Sequence, residues 1–397
     1  VEAGNQLKVT LGRPSPIFPT LMADDYHLYM QHPRHLAEPL IAKGQVEVSP
    51  QDLNLTGFGP FKLDSFENGN VYHFKRSGTY FEKDEKGRRQ PFLDGVDYVV
   101  VNDPTAMDAA VRTGRLDGSA SGSGFYLSPE RKANYERDLG DKVWFGQIAA
   151  SYSYLAANTL RPGPLQNPQV RRALSLWIDK RASVQAVFGG SAVLHTTISP
   201  KSPFPSPDWE SWPGFNRATK EADRAEAKRL LNEANLSGGF KLTLSCRKEA
   251  LHQCEFFQGE LAPLGIQLSL GVYEAANRVA IRRAAEYDLD LGSHRTSLPE
   301  ATEEAFARRS VGPNAYPIHE DTKVSDLYAR LAKASELPQR IELWREIERY
   351  FIRDQVYVIP VFGESAIMAY RSYVKGMLVP AEDPIRNSEL ATVWLDK

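Results

Sequence analysis

The chain has 397 residues, 42% of them hydrophobic, enough to bury large cores and to divide into two or more domains. Its 48 basic and 50 acidic residues leave a net charge of -2, so no general pull toward nucleic acid or an anionic membrane is implied. No apolar run approaches the roughly 20 residues that cross a bilayer, and no charged-then-apolar leader precedes Val1, so the chain reads as soluble and as either mature or truncated.

Along the chain, polar and apolar residues alternate over Gln6–Leu11 and Val71–Phe74, the pattern of strands with one wet face. Asp103 and Pro104 supply an acidic cap and a first-turn proline. Met107, Ala110 and Val111 then share one helical face, and Gly114 closes it. Asn167-Pro168 repeats that start, and Val170, Ala173, Leu174, Trp177, Ile178 and Val184 predict one long packed helix ended by Gly189-Gly190. The Pro-rich stretch Ser199–Pro213 reads as an extended surface loop.

Strand and helix then alternate: strand Phe240–Ser245, helix Ala250–Leu264, strand Ile266–Val272, helix Glu274–Ala285, strand Tyr287–Leu291. This is α/β winding. Helices follow over Lys323–Ser335 and Pro338–Arg353, the second with Ile341, Trp344, Ile347 and Phe351 on one face, before strand Val356–Phe362. There is no internal repeat.

Catalytic patterns are weak. Neither a His-x-x-x-His helix nor a Cys-x-x-Cys pair occurs, Pro33 interrupts His32 and His35, and His319-Glu320-Asp321 has no second histidine nearby, so surface roles are expected for these histidines and no metal or cofactor is implied. Ser121-Gly-Ser-Gly124 is not a nucleophile elbow, and nothing singles out a carboxylate pair among the acids. Gly57-Phe-Gly59 lacks the third glycine and following helix of a phosphate cradle. An enzyme is not expected.

Five segments occur in a characteristic order: Thr56-Gly-Phe-Gly-Pro-Phe61, Pro91-Phe-Leu-Asp-Gly-Val-Asp97, Asn158-Thr159 with Asn167-Pro-Gln-Val-Arg-Arg-Ala173, Tyr287-Asp-Leu-Asp-Leu-Gly292, and Val374-Lys-Gly376. Together they resemble the large extracytoplasmic solute-binding proteins of ABC importers, family 5, the dipeptide, oligopeptide and nickel class. The resemblance implies an α/β fold of the type II periplasmic binding protein kind, exported, with two large lobes and the remnant of a small third domain. It places 1–56 in that remnant, 57–150 with 364–397 in the first lobe, and 151–363 in the second. A solute would bind between the lobes, with the crossing segments near Tyr154 and Phe362 as the hinge, for delivery to a membrane permease. The family's N-terminal segment is missing, so a second polypeptide is expected to complete the fold, and the chain alone is not expected to behave well as a monomer.

Ligands of wound α/β sheets collect at the carboxyl ends of strands, which points to Gly292–Ser297. In peptide-binding members this loop reads Gly-Trp followed by an acid that receives the peptide amine. Here those positions are Ser293 and Thr296, with His294 and Arg295 between. A hydroxyl cannot neutralise a buried ammonium, so free peptides should bind poorly unless Glu364 replaces the acid. Arg295 suits a carboxylate, phosphate or polyol, or else it pairs with a surface acid such as Glu300.

Ser119, Ser121 and Ser123 lie in a small-residue loop that either lines the cleft or is a surface loop. Tyr152, Tyr154 and Asn158 lie on the crossing strand, as ligand contacts or as core; Phe362 is on the return strand. Cys246 ends a strand and Cys254 lies early in the helix packed on it, within disulfide reach, and pairing is expected for an exported chain; two buried thiols are the alternative. A second reading of the whole is an accessory subunit that keeps the fold, binds a protein partner and has lost its solute.

Overall fold

The computed structural model describes residues 8–12, 15–16, 18, 33–45, 57–101, 103–119, 127, 129–190, 192, 194–196, 203–294, 318–377 and 387–397. Contacts divide the chain into two units, one of residues 25–149 and 366–397, the other of residues 1–24 and 150–365.

The first unit carries helix α1 (Arg34–Ala42) and an antiparallel sheet of β1 (Phe61–Glu67), β2 (Val71–Arg76) and β3 (Gly95–Val99), in that spatial order. Helix α2 (Pro104–Thr113) forms where its end signals place it. The Asp103 carboxylate accepts the Ala106 N–H at 2.7 Å, and Gly114 leaves the helix in the left-handed conformation that glycine adopts without strain. Met107 and Val111 of α2 join Tyr135 of α3 (Pro129–Leu139), Val143, Ile367 and Ala369 in one core. Residues 8–11 form no strand, contrary to the alternating pattern, which by itself supplies no partner to bond.

The second unit is built on five strands in the spatial order β6 (Ile266–Tyr273), β5 (Phe240–Arg247), β7 (Leu289–His294), β4 (Val143–Ala157) and β8 (Val358–Arg371). β4 (Val143–Ala157) enters it from the first unit. The helix expected from Asn167 to Gly189 is two, α4 (Pro168–Trp177) and α5 (Lys180–Phe188). The apolar stripe runs on in phase, but Ile178 is extended and the Asp179 side chain accepts the N–H groups of Arg181 and Ala182, so a new cap wins over the continued stripe.

α6 (Lys220–Glu233) precedes the expected alternation, realised as β5 (Phe240–Arg247), α7 (Leu251–Leu261), β6 (Ile266–Tyr273), α8 (Ala275–Arg283) and β7 (Leu289–His294). β5 runs parallel to both β6 and β7, and β4 runs antiparallel to β7. Helices α9 (Thr322–Lys333) and α10 (Leu337–Glu348) follow, the latter continuing as a π-helical segment to Asp354. β8 (Val358–Arg371) returns to the first unit, which ends with β9 (Val374–Lys375) paired to β10 (Trp394–Leu395).

Alternation along the central strands separates two cores. Leu155 and Ala157 of β4 and Leu289 and Leu291 of β7 belong to one, with Val170, Leu174, Leu231 and Phe257. Tyr154 and Ala156 belong to the other, with Leu327, Trp344 and Phe351 from α9, α10 and its extension.

The Pro-rich stretch is not a simple surface loop. Residues 199–202 lie outside the described residues, while Phe204, Trp212 and Phe215 are buried, making 203–216 a strap anchored in the second core. Its far end is held by Lys180, whose buried amino group donates to the Ser175 carbonyl at 2.7 Å and the Gly214 carbonyl at 3.2 Å. Gly214 is required there, because an added Cβ would lie 2.0 Å from the Ser175 carbonyl oxygen at a φ of +80°.

His319 is buried rather than at the surface. Its ring stacks on Tyr357 at 4.3 Å, and desolvation pushes its pKa down to about 4. His35 is exposed, and His32 lies outside the described residues.

Candidate functional site

The carboxyl ends of β5 and β7 lie side by side in the second unit, and β4 enters the sheet at the same end, where Tyr152 pairs with His294, Ser153 with Ser293 and Tyr154 with Gly292. Gly292 is needed because the Tyr154 ring lies across β7 there: a Cβ at 292 would sit 2.4 Å from ring atoms. A glycine at this position lets the cross-strand ring lie directly on the backbone of β7.

One residue before Leu291, Asp290 is buried between two arginines of α8. Arg278 donates to Asp290 at 2.6 Å and also to the Leu291 carbonyl and to Ser245 Oγ at 3.2 Å; Arg282 Nε reaches Asp290 at 2.9 Å. Burial lowers the pKa of Arg278, opposed by the Asp290 charge, and the group remains a guanidinium. This network ties α8 to the last turns of β5 and β7, so the strand ends are rigid.

Arg247 completes the edge. It is the last residue of β5, partly buried, with Nη2 3.4 Å from Ser293 Oγ, and among the described residues it has no carboxylate partner. The adjacent Cys246 is bonded to Cys254 of α7, both fully buried, which clamps the strand end to the helix behind it. The expected disulfide is therefore present. Two arginines thus share one aspartate, while Arg247 has no carboxylate partner among the described residues.

Aromatic groups flank it. The Tyr152 ring lies tilted against His195 at 5.5 Å, and His195 lies tilted against Trp209 of the strap at 5.5 Å. His195 is 1% exposed, makes no hydrogen bond through either ring nitrogen among the described residues, and is driven by desolvation to a pKa of about 3, which favours the neutral ring.

Among the residues expected to touch solute, Arg295, Thr296, Ser121 and Ser123 lie outside the described residues, and His294 and Glu364 are placed by backbone alone, in β7 and β8. Ser293 stands beside Arg247. Tyr152 and Tyr154 are at the strand end but buried, Tyr154 over Gly292. The Asn158 amide is committed to the fold, donating to the carbonyls of Ala285 at 3.0 Å and Tyr287 at 2.9 Å and accepting the Leu160 N–H. Ser119 belongs to the other unit, where its hydroxyl accepts the Ala369 N–H at 3.1 Å. Phe362 packs between Phe188 and Phe257 in the first core of the sheet.

Arg247 was not singled out by sequence reading. The carboxyl-end rule applied to β5 as it was applied to β7 would have found it, had the strand been carried two residues further. Among the described residues no group of three or more histidine, cysteine, aspartate or glutamate side chains is placed to hold a metal ion, and no helix is long and apolar enough to cross a membrane.

A sheet wound with both parallel and antiparallel strands, crossed twice by the chain and carrying its polar edge at the strand carboxyl ends, defines a periplasmic binding protein fold of the type II kind. The chain belongs to the bacterial extracellular solute-binding proteins, family 5: the profile of the family's middle region matches residues 1–309. The glutathione-binding protein GsiB of Escherichia coli K12 is 22% identical over 388 residues, spanning 94% of this chain and 70% of the relative.

Solved structures show the same fold. The periplasmic binding protein DppA of Helicobacter pylori, in complex with the peptide STSA, superposes with a TM-score of 0.73 at 20% identity, covering 98% of this chain and 72% of that one. AgaA of A. tumefaciens R10, in complex with agropinic acid, gives a TM-score of 0.65 at 19% identity over 91% and 71%.

Proposed function

We propose that the protein captures a carboxylate-bearing solute at the carboxyl ends of β5 and β7 and delivers it to an ABC permease without chemical change. The observation that carries this reading is Arg247, a partly buried guanidinium beside Ser293 with no carboxylate partner among the described residues. A guanidinium held at a strand end by a disulfide and a rigid sheet is pre-organised to receive a carboxylate through paired N–H groups. Ser293 adds a hydroxyl, and Tyr152 an aromatic wall. Arg295, in the segment after β7, is proposed as a second guanidinium for the anion, and Glu364 is proposed as the acid that would receive an amine.

The relatives named above bind glutathione, a peptide and agropinic acid, all of which carry carboxylates, and this supports the same class of ligand here. Peptides need a second, acidic contact for the ammonium, and Thr296 replaces it, so hydroxylated or amine-blocked acids are the preferred ligands. Isothermal titration calorimetry against hydroxy acids, sugar acids and free and N-acetylated di- and tripeptides tests this. Binding of acids that weakens at least tenfold in Arg247→Ala is expected. Tight binding of free peptides that is unaffected by Arg247→Ala and lost on N-acetylation would overturn it.

A further inference from the structure

Behind the edge that carries Tyr152, α10 ends on a carboxylate that has no countercharge among the described residues. Glu348 is 2% exposed; its Oε2 accepts the Ser206 backbone N–H at 2.8 Å, and the hydroxyls of Thr196 and Ser206 face it. Among the described residues it meets segments 194–196 and 203–206 beside its own helix. The titratable or charged groups these present are His195, Arg345 and Arg349. Arg345 is engaged by the Pro203 carbonyl at 3.0 Å, the Pro205 carbonyl at 3.2 Å and Glu342 at 2.7 Å. Arg349 exerts the least of the influences on Glu348, and His195 is neutral. Among the described residues Glu348 therefore makes no ion pair, and a carboxylate sealed in this way favours its protonated form, its pKa pushed by burial up to about 7.

What Glu348 holds is the near end of the strap. From Ser206 the strap passes to Trp209, whose ring packs at a tilt on His195, which packs at a tilt on Tyr152; Trp209 also meets Phe215 edge-on at 5.5 Å. The far end is fixed independently, by Lys180 and by the Asp223 carboxylate accepting the Gly214 N–H at 3.1 Å. One end of the strap is thus pinned by a titratable group, and the ring column carries its position to the edge of the candidate site.

We propose that Glu348 is a proton-operated latch: as the neutral acid it holds the Pro203–Ser206 end of the strap closed, and on losing its proton to solvent it releases that end and loosens Tyr152. The direction follows from linkage. The closed state binds the proton more tightly than a hydrated open state, in which the carboxyl regains its ordinary value near 4.5, so the open fraction grows as pH rises between 4.5 and 7 and levels off above. Between pH 5 and 7.5 the two values give an increase of about 60-fold in the opening equilibrium. His195 acts in the opposite sense if it hydrates on opening, and comparison with a Glu348 variant removes that contribution.

Hydrogen exchange of the 203–216 amides, corrected for intrinsic rates, is measured at pH 5 and pH 7.5 in the wild type and in Glu348→Gln, which keeps the shape and cannot ionise. The wild-type to variant ratio of exchange rates is expected to rise by about 60-fold between the two pH values, with amides of α7 unaffected. A ratio constant within threefold would overturn the latch. Should Glu348→Gln not fold, infrared titration of the wild type decides. A protonated-carboxyl band that persists at pH 6 and disappears across pH 7 in the folded protein supports the proposal, and its loss below pH 5 refutes it.

Discussion

Replacing Asp290 by alanine tests whether the strand ends are rigid for the reason given. Asp290 is 1% exposed and Arg278 4% exposed, with a 2.6 Å contact between them, and Arg282 reaches the same carboxylate at 2.7 Å. With charge centres about 4 Å apart and an effective dielectric near 20, each attraction is roughly 4 kcal/mol before desolvation is counted. The alanine variant leaves Arg278 buried and unpaired, which destabilises by about 3 to 5 kcal/mol. For a unit of this size that lowers the Tm by roughly 10 °C. Arg282, nearer solvent, can hydrate and adds little.

The loss comes from an unpaired charge rather than from a missing attraction, so the double substitution Arg278→Met with Asp290→Leu should recover most of it. Urea and thermal unfolding of the two variants measure both quantities. A loss under about 1 kcal/mol in Asp290→Ala would show that water reaches the guanidinium and would refute the argument. So would a double variant no better than the single.

The remaining expectations concern nearby parts of the same unit. Cys246 and Cys254 are eight residues apart, so Cys246→Ala with Cys254→Ala should cost about 2.5 kcal/mol in the chain-entropy account, and thiol counting on the denatured wild type should find no reactive sulfur. Gly292→Ala places a methyl 2.4 Å from the Tyr154 ring and should destabilise by about 2 kcal/mol with a changed near-UV spectrum; an unchanged spectrum contradicts the packing. For pH, His195 and His319 are depressed to about 3 and about 4, so the unfolded chain takes up their protons first and stability is lost as pH falls below 6.5. Glu348, raised to about 7, has the opposite sign, its contribution growing as pH falls from 7 to 4.5. Between pH 6.5 and 4.5 the net is one proton, a loss of about 1.4 kcal/mol per pH unit in urea unfolding, and stability that rises on acidification would contradict it.

Much of the frame was legible because it is written locally. The Asp103 cap, Pro104 and Gly114 define α2 within twelve residues, and the strand and helix alternation from Phe240 to Leu291 changes period at glycine and proline signals. The disulfide followed from two cysteines brought close by one strand and the next helix.

What was illegible depends on distant partners or on a competition between local signals. Asp179 caps a new helix inside a stripe that still reads as one. His319 is buried by Tyr357 and Phe351, and Glu348 meets Ser206 across 142 residues, so no window of sequence reveals that either is sealed from water. The strap looked like a surface loop because prolines dominate it, yet Phe204, Trp212 and Phe215 anchor it. Within the site, the loop after β7 drew the reading to Arg295, while Arg247 is set by the neighbouring strand and the register between parallel strands.

Native mass spectrometry of the protein purified gently from its source tests the central claim most directly, because it reads what the site holds without a guess at the ligand. The account predicts one small carboxylate-bearing molecule retained per chain in the wild type and lost from Arg247→Ala, with both proteins showing the same unfolding temperature once stripped. A retained polypeptide in place of a small molecule would contradict it and favour an accessory subunit. A neutral or cationic solute kept equally by Arg247→Ala would contradict it as well.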